Sequence, residues 1–421
     1  MGRWAALPER GRVAWRTPWV RTLIILWIAQ VISEFAFSFA LPFVPLYLQD
    51  LGVSDPNRAG LWAGAMSGGF ALVMGIMAPI WGIVADRYGR RMMIQRALFG
   101  AAVVVGAMAF VMSAEQLFIL RLLQGSVTGL VAAISTVVSL VVPRARLAMA
   151  LGLVQTALFT GGALGPLVGG VVSDLVGFRA AFGLTGVLFL IGAILVTLCV
   201  AEPPREPLTT AQATATARDG GWHAFIRQRE ILAVLGMFII IRFANFAPNP
   251  ILPLYVQSLL PDGQRLATLA GLVVAATGVA STISALLIGT ISDRFGRRLT
   301  LLVCMLAAAI TCLPQAFVGT VWQLLLLRIA TGLALGGMLP IVQAIFTELT
   351  PPDRRGMGFG ILAAAGSIGL GGGPLTGSLV AARFGIPAVF LVMTPFFLLG
   401  AWSLLQLPKQ KTQAVAIPAQ T

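Results

Sequence analysis

The chain has 421 residues, 58% of them hydrophobic and only 10% charged, with a formal net charge of +14. Its apolar residues come in long blocks suited to the roughly 20-residue length of a bilayer-crossing helix, which excludes a soluble globular domain. The basic charge invites a nucleic-acid reading, but its placement argues against one, and the single histidine, His223, leaves no basis for a metal cluster or a histidine-dependent triad.

Taken in order, the blocks predict spans at 20–48, 60–84, 92–112, 116–141, 148–172, 178–200, 231–259, 268–291, 299–318, 321–348, 357–382 and 386–407. The expected fold is an all-α membrane protein of about twelve transmembrane helices in two six-helix bundles, 20–200 and 231–407. A linker at 201–230 joins them, and tails at 1–19 and 408–421 flank them. A transmembrane barrel needs short alternating strands, and none is evident. Lysine and arginine divide 22 to 4 between the two sides, with Arg121, Arg242 and Arg328 inside spans. By the positive-inside rule both termini are expected in the cytoplasm of a plasma-membrane protein. The first block is too long for a cleavable signal. The linker's end, GWHAFIRQRE, suits either a surface-lying amphipathic helix or a solvated turn.

Glu34 stands in the middle of the first span, where an ionised carboxylate costs several kcal/mol and marks a functional hypothesis. Gln30, Glu34 and Ser38 recur every four residues on one helical stripe. The second span ends in GIVADRYGRR, with Gly82, Asp86, Arg87, Gly89 and Arg90. Here Gly82 is expected to permit close helix approach, Gly89 a tight turn, and Asp86 a latch to Arg90 or to a helix N-terminus; the plainer reading is that the arginines fix topology. The fourth span carries Arg121, Gln124 and Thr128. The fifth carries GGALGPLVGG, with Gly161, Gly165, Pro166 and Gly169, small residues that suit close helix packing.

The design then repeats. GIVADRYGRR returns 207 residues later as GTISDRFGRR, with Asp293, Arg294 and Arg297. Arg121 maps to Arg328 at the same offset, and PFVPLYLQ returns 208 residues on as PILPLYVQ. GALGPLVGG maps loosely onto GLGGGPLTG. The halves are therefore parallel repeats, an arrangement that places a transport site near the midplane between them. In that repeat Glu34 falls on Arg242, opposite charges at one depth, and Arg242, Asn245 and Asn249 continue a polar stripe on the seventh span. A permanent ion pair of Glu34 with Arg121 or Arg242 is one reading; a carboxyl that alternates between protonated and partnered states is the other.

From about residue 20 to 407 these motifs resemble the major facilitator superfamily, and GGALGPLVGG is similar to the motif of its twelve-helix drug:proton antiporters. The resemblance implies rocker-switch alternating access, proton coupling at Arg121, and a cytoplasmic latch at Asp86. The expected activity is proton-coupled efflux of hydrophobic or cationic small molecules; transport of organic anions or sugars on the intramembrane arginines is the rival. Its expected partners are a small-molecule substrate, protons and the lipid bilayer, with no nucleic acid, and the protein is expected to act as a monomer. No enzyme is expected, because no paired carboxylates or Ser-His pair meet in the spans. No cofactor or metal is expected: no phosphate-binding lysine loop exists, and Cys199, Cys304 and Cys312 lack metal spacing.

Overall fold

Hydrocarbon offers a backbone no hydrogen-bond partner, so each apolar block must satisfy itself as helix. A computed structural model of the chain describes residues 18–143, 146–202, 228–260, 265–351 and 355–406, and every regular element in them is helical. The tails and most of the linker lie outside the described residues. Ten stretches among those described are long and apolar enough to cross a membrane. One of them, in α7 (Leu147–Cys199), is 51 residues long. At 1.5 Å per residue it reaches more than twice the thickness of a bilayer core. Its helix breaks at Gly177, where φ is 83°, so α7 makes two crossings.

Proline and glycine place the other breaks. α1 (Pro18–Ala40) passes through a 3-10 turn into α2 (Val44–Asp50), as Pro42 and Pro45 remove backbone donors. The second half repeats this with α8 (Arg229–Phe246) and α9 (Leu252–Ser258), so the span expected to run unbroken over 231–259 is interrupted at Pro248 and Pro250. With this pair and the two passes of α7, the described residues hold helices enough for twelve crossings. α3 (Pro56–Tyr88) and α4 (Arg90–Ala107) meet at Gly89, whose φ of 105° turns the chain. The fourth crossing is split into α5 (Ala114–Val127) and α6 (Leu130–Val141) at Gly129. There Arg96 donates to the Thr128 carbonyl at 3.1 Å and Trp81 to that of Ser126 at 2.6 Å, closing the carbonyls left free by the break. The second half continues as α10 (Leu266–Phe295), α11 (Arg297–Cys312), α12 (Val321–Leu335), α13 (Met338–Leu349), α14 (Arg355–Phe384) and α15 (Ile386–Gln406).

Small bonds repeat with the large plan. Ser113 caps α5 and Thr320 caps α12, each with a glutamine three residues on that reaches back to the residue before the cap. Arg91 binds the Thr197 carbonyl at the end of α7, and Arg298 binds the Leu404 carbonyl near the end of α15, a cation on each helix C-terminus. Tyr47 donates to the Met108 carbonyl at 3.0 Å and Tyr255 to that of Gln315 at 2.6 Å.

The halves meet where α3 packs on α14 and α7 on α10. Along one face of α3 the contact with α14 fades. Gly68 has no room for a Cβ against Leu375, a Cβ at Gly75 would come only within 4.0 Å of Ser367, and Gly82 faces open space. Along α10, Gly271 is pressed on the Pro166 carbonyl, a Cβ at Gly278 would lie 3.5 Å from Ala163, and Gly289 faces open space. The halves therefore form a V, closed at the end away from the arginine-rich turns and splayed at the arginine-rich end. At the closed end Gln49 and Gln257 exchange reciprocal 3.0 Å amide bonds, and Asp174 reaches from α7 to the N-terminus of α10.

Because Tyr47 and Tyr255 anchor separate bundles, Tyr47→Phe and Tyr255→Phe are expected to cost about 1–2 kcal/mol each, the penalty of an orphaned buried carbonyl. Denaturant unfolding in micelles should show the two costs adding in the double variant.

Candidate functional site

On α1, Gln30 is 1% exposed with its Oε1 lacking a protein partner, and Glu34 and Ser38 are half-buried. Polar groups survive at this depth only against protein or water. What holds them is the glycine face of α7. A Cβ at Gly161 would lie 2.7 Å from the Glu34 Cβ, one at Gly165 would lie 2.8 Å from the Ser38 Cβ, and Gly169 sits on the Phe39 carbonyl. Three glycines four residues apart thus let α7 press its backbone onto the Gln30–Glu34–Ser38 stripe. Pro166, between them, offers its carbonyl to Gly271 of α10, so the motif joins α1 to the interface of the halves.

The second half builds the same seat. A Cβ at Gly369 of α14 would lie 2.6 Å from the Arg242 Cβ, Gly373 sits on the Phe243 carbonyl and Gly377 on that of Ala247. Each of these glycines falls 208 residues after Gly161, Gly165 and Gly169, so the second-half motif, only loosely matched in sequence, is complete where packing needs it. Arg242 and Glu34 therefore occupy equivalent seats with opposite charge.

Neither is paired to the other. Among the described residues no hydrogen bond or ion pair reaches the Glu34 carboxylate; the ion pairs there are Arg58 with Asp55 and Arg297 with Glu348. Arg242 lies over Phe238 and Phe246 of its own helix, at 5.4 and 5.9 Å, and its Nε has no partner. Arg121 is buried, donates to Gln124 at 2.7 Å and lies 5.0 Å over the Phe70 ring. The structure thus departs from the permanent ion pair with Arg121 or Arg242, because Arg121 is held by an amide and a ring and Arg242 lies over two rings of its own helix. Asn245 is half-buried on α8, one turn beyond Arg242. Asn249 lies past the end of α8, exposed in a turn whose other residues are buried and off the helical stripe, because the prolines on either side of it end the helix.

At the arginine-rich turns, the side chains of Asp86, Arg87 and Asp293 lie outside the described residues. Gly82 faces open space instead of a neighbouring helix, since the halves are splayed at this end. Gly89 turns the chain as expected from its residue type, and Gly296 does so with φ 92°. The carboxylate found at the N-terminus of α4 is Glu202, which accepts from the Arg90 amide at 2.9 Å. Arg294 lies over the neighbouring Phe295 ring at 5.7 Å, and Arg297 pairs with Glu348 inside its own half.

Sequence reasoning passed over Asp174, Glu202 and the Gln49–Gln257 pair. The glutamines were within reach, since they end the repeated PFVPLYLQ and PILPLYVQ segments. The carboxylates have no repeat counterpart of their own type, so only their contacts identify them.

The profile of the Major Facilitator Superfamily matches residues 26–263 and 264–420. The multidrug resistance protein MdtG of Enterobacter lignolyticus is 34% identical over 413 residues, covering 96% of this chain and 95% of that protein. MdtG of Salmonella typhimurium is 32% identical over 388 residues, covering 91% and 94%. Among solved structures, an inward-facing, unoccupied bacterial homologue of the human lysosomal transporter Spinster superposes with a TM-score of 0.75 at 15% identity, over 92% of this chain and 96% of that one. A D-xylose–proton symporter does so with a TM-score of 0.75 at 18% identity, over 93% and 99%.

Gly161→Ala drives a methyl into the α1 backbone and is expected to destabilise by about 1–3 kcal/mol, the cost of overpacking. Gly162→Ala, whose added Cβ meets only the Ser38 Oγ at 3.9 Å, should show no such loss in the same unfolding measurement.

Proposed function

Because the chain belongs to the Major Facilitator Superfamily and is a multi-pass membrane protein, we propose that it exports hydrophobic or cationic small molecules, as the multidrug resistance relatives' name suggests, driven by protons. The observation that carries this reading is Glu34: half-buried, without a partner among the described residues, and seated on glycines that admit no bulky neighbour. A carboxyl in such a place is stable in hydrocarbon when protonated and needs a cation or water when ionised. A cationic substrate and a proton are then alternative occupants of one group, which is the chemistry of exchange.

Alternating access follows from the V. The halves touch near the closed end and part at the arginine-rich end, so rocking about the midplane exposes the site to one side at a time. The positive-inside rule supports a cytoplasmic arginine-rich end, with both termini on that side of a bacterial inner membrane. In this reading the present state opens to the cytoplasm and loads substrate there. Arg121, fixed by Gln124 and Phe70, tunes the field around the proton site without binding Glu34. The protein works as a monomer, since each half already contributes one wall.

The rival reading, organic-anion transport, is favoured by one observation: among the described residues Arg242 also lacks a carboxylate partner. A single assay separates the two. In proteoliposomes under an imposed pH gradient, the native protein is expected to concentrate a lipophilic cationic dye, and Glu34→Gln only to equilibrate it. Pumping by Glu34→Gln at the native rate would remove Glu34 from proton coupling. An anion whose transport survives Glu34→Gln but is lost in Arg242→Gln would establish the rival.

A further inference from the structure

We propose that Asp174 is a positioning residue of the transport cycle: it holds the closed end shut by capping, from the N-terminal half, a helix of the C-terminal half whose own N-cap residue, Arg265, makes no cap bond. The inference rests on the alternating-access reading above.

A helix leaves its first amides without intrahelical partners, and they need an acceptor. α3 meets this need within its own chain segment. Asp55 is its N-cap and accepts from the Asn57 amide at 3.0 Å, and Pro56 follows in the first turn. α10, its repeat counterpart, starts differently. The residue before it is Arg265, held in the left-handed region at φ 56°, and its side chain makes no cap bond to the helix. The acceptor comes from across the interface. Asp174 Oδ1 accepts from the Ala267 amide at 3.0 Å, and Oδ2 accepts from the Thr268 amide at 2.7 Å and from its hydroxyl at 2.6 Å. Both carboxylate oxygens are used, and the anion sits at the positive end of the α10 dipole.

The backbone is shaped for this reach. One turn before Asp174, Gly170 leaves no room for a Cβ against the Ala267 carbonyl, so α7 and α10 touch main chain to main chain. The link runs one way, because the residue 208 positions after Asp174 is Ala382. The neighbouring Gln49–Gln257 pair is neutral, and its amides exchange for water at little net cost, so it sets register more than strength. Opening this end must separate Asp174 from α10. Its carboxylate therefore weights the equilibrium between the two access states.

The test uses the full chain with Cys199, Cys304 and Cys312 replaced by Ala, and spin-label pairs measured by pulsed electron resonance. One pair, Ser54→Cys with Ser258→Cys, reports the closed end. The other, Tyr88→Cys with Phe295→Cys, reports the arginine-rich end. Asp174→Ala is expected to raise the population with a long first distance and a short second distance roughly tenfold, as loss of a charged cap predicts. Asp174→Asn, which keeps the shape and one acceptor, should fall between. Unchanged distributions in Asp174→Ala would overturn the proposal. So would a lengthened first distance with the second unmoved, which is fraying of α10 and not rocking. Dye transport by the labelled parent keeps the two readings apart. Active transport with distances indifferent to Asp174 removes the latch alone. A parent whose two distances never move in opposite senses, with dye and a pH gradient present, removes alternating access and the latch with it.

Discussion

Main-chain contact between α1 and α7, and its twin between α8 and α14, is the interaction on which the rest of the structure depends. In a bilayer the hydrophobic effect does not drive helices together, since lipid is as apolar as leucine. Association must come from close packing, and glycine rows allow it. The row at Gly161, Gly165 and Gly169 does more than join two helices. It sets a carboxylate against bare backbone, so no neighbouring side chain from α7 neutralises or covers it.

The same contact explains how a charged group sits inside the membrane without a fixed partner. Gln30 Oε1, Arg121 Nε, Arg242 Nε and Arg328 Nε are all buried without protein hydrogen bonds. In a static protein such atoms are a cost, since a buried polar group wants a partner. In the proposed cycle they are the groups left to meet water, proton or substrate. The structural bonds are made elsewhere: Arg91 and Arg298 on helix ends, Tyr47 and Tyr255 on carbonyls, Arg96 and Trp81 at the break in the fourth crossing. Rigid bundles and an unsatisfied interface are thus kept apart in space.

The two copies of one design differ at the places the proposed cycle uses. Identical halves would put like charges in the two seats; here the seats hold Glu34 and Arg242. Identical halves would also cap α3 and α10 alike; here α3 is capped by its own Asp55 and α10 by Asp174 of the other half. In the proposed cycle the symmetry supplies the rocking geometry, and these departures make the two seats and the two helix starts unequal.

Sequence alone determined the membrane class, the repeat, the twelve crossings and the depth of Glu34, because hydrocarbon enforces helix wherever about twenty apolar residues run together and because a repeat offset carries one half's geometry onto the other. It also located the glycine motif, since small residues at four-residue spacing have few other uses in a membrane helix. Only the tertiary structure decided who touches whom. It gave Arg121 to Gln124 and Phe70 and left Glu34 unpaired; it set Asn249 beyond a proline-ended helix and Gly82 in open space; and it completed the second glycine seat around Arg242. It alone decided that the far end is shut, with Asp174 on α10. The physical reason is range: helix formation and membrane insertion are set by residues a few positions apart, whereas a carboxylate's partner 93 residues away depends on how two bundles lean.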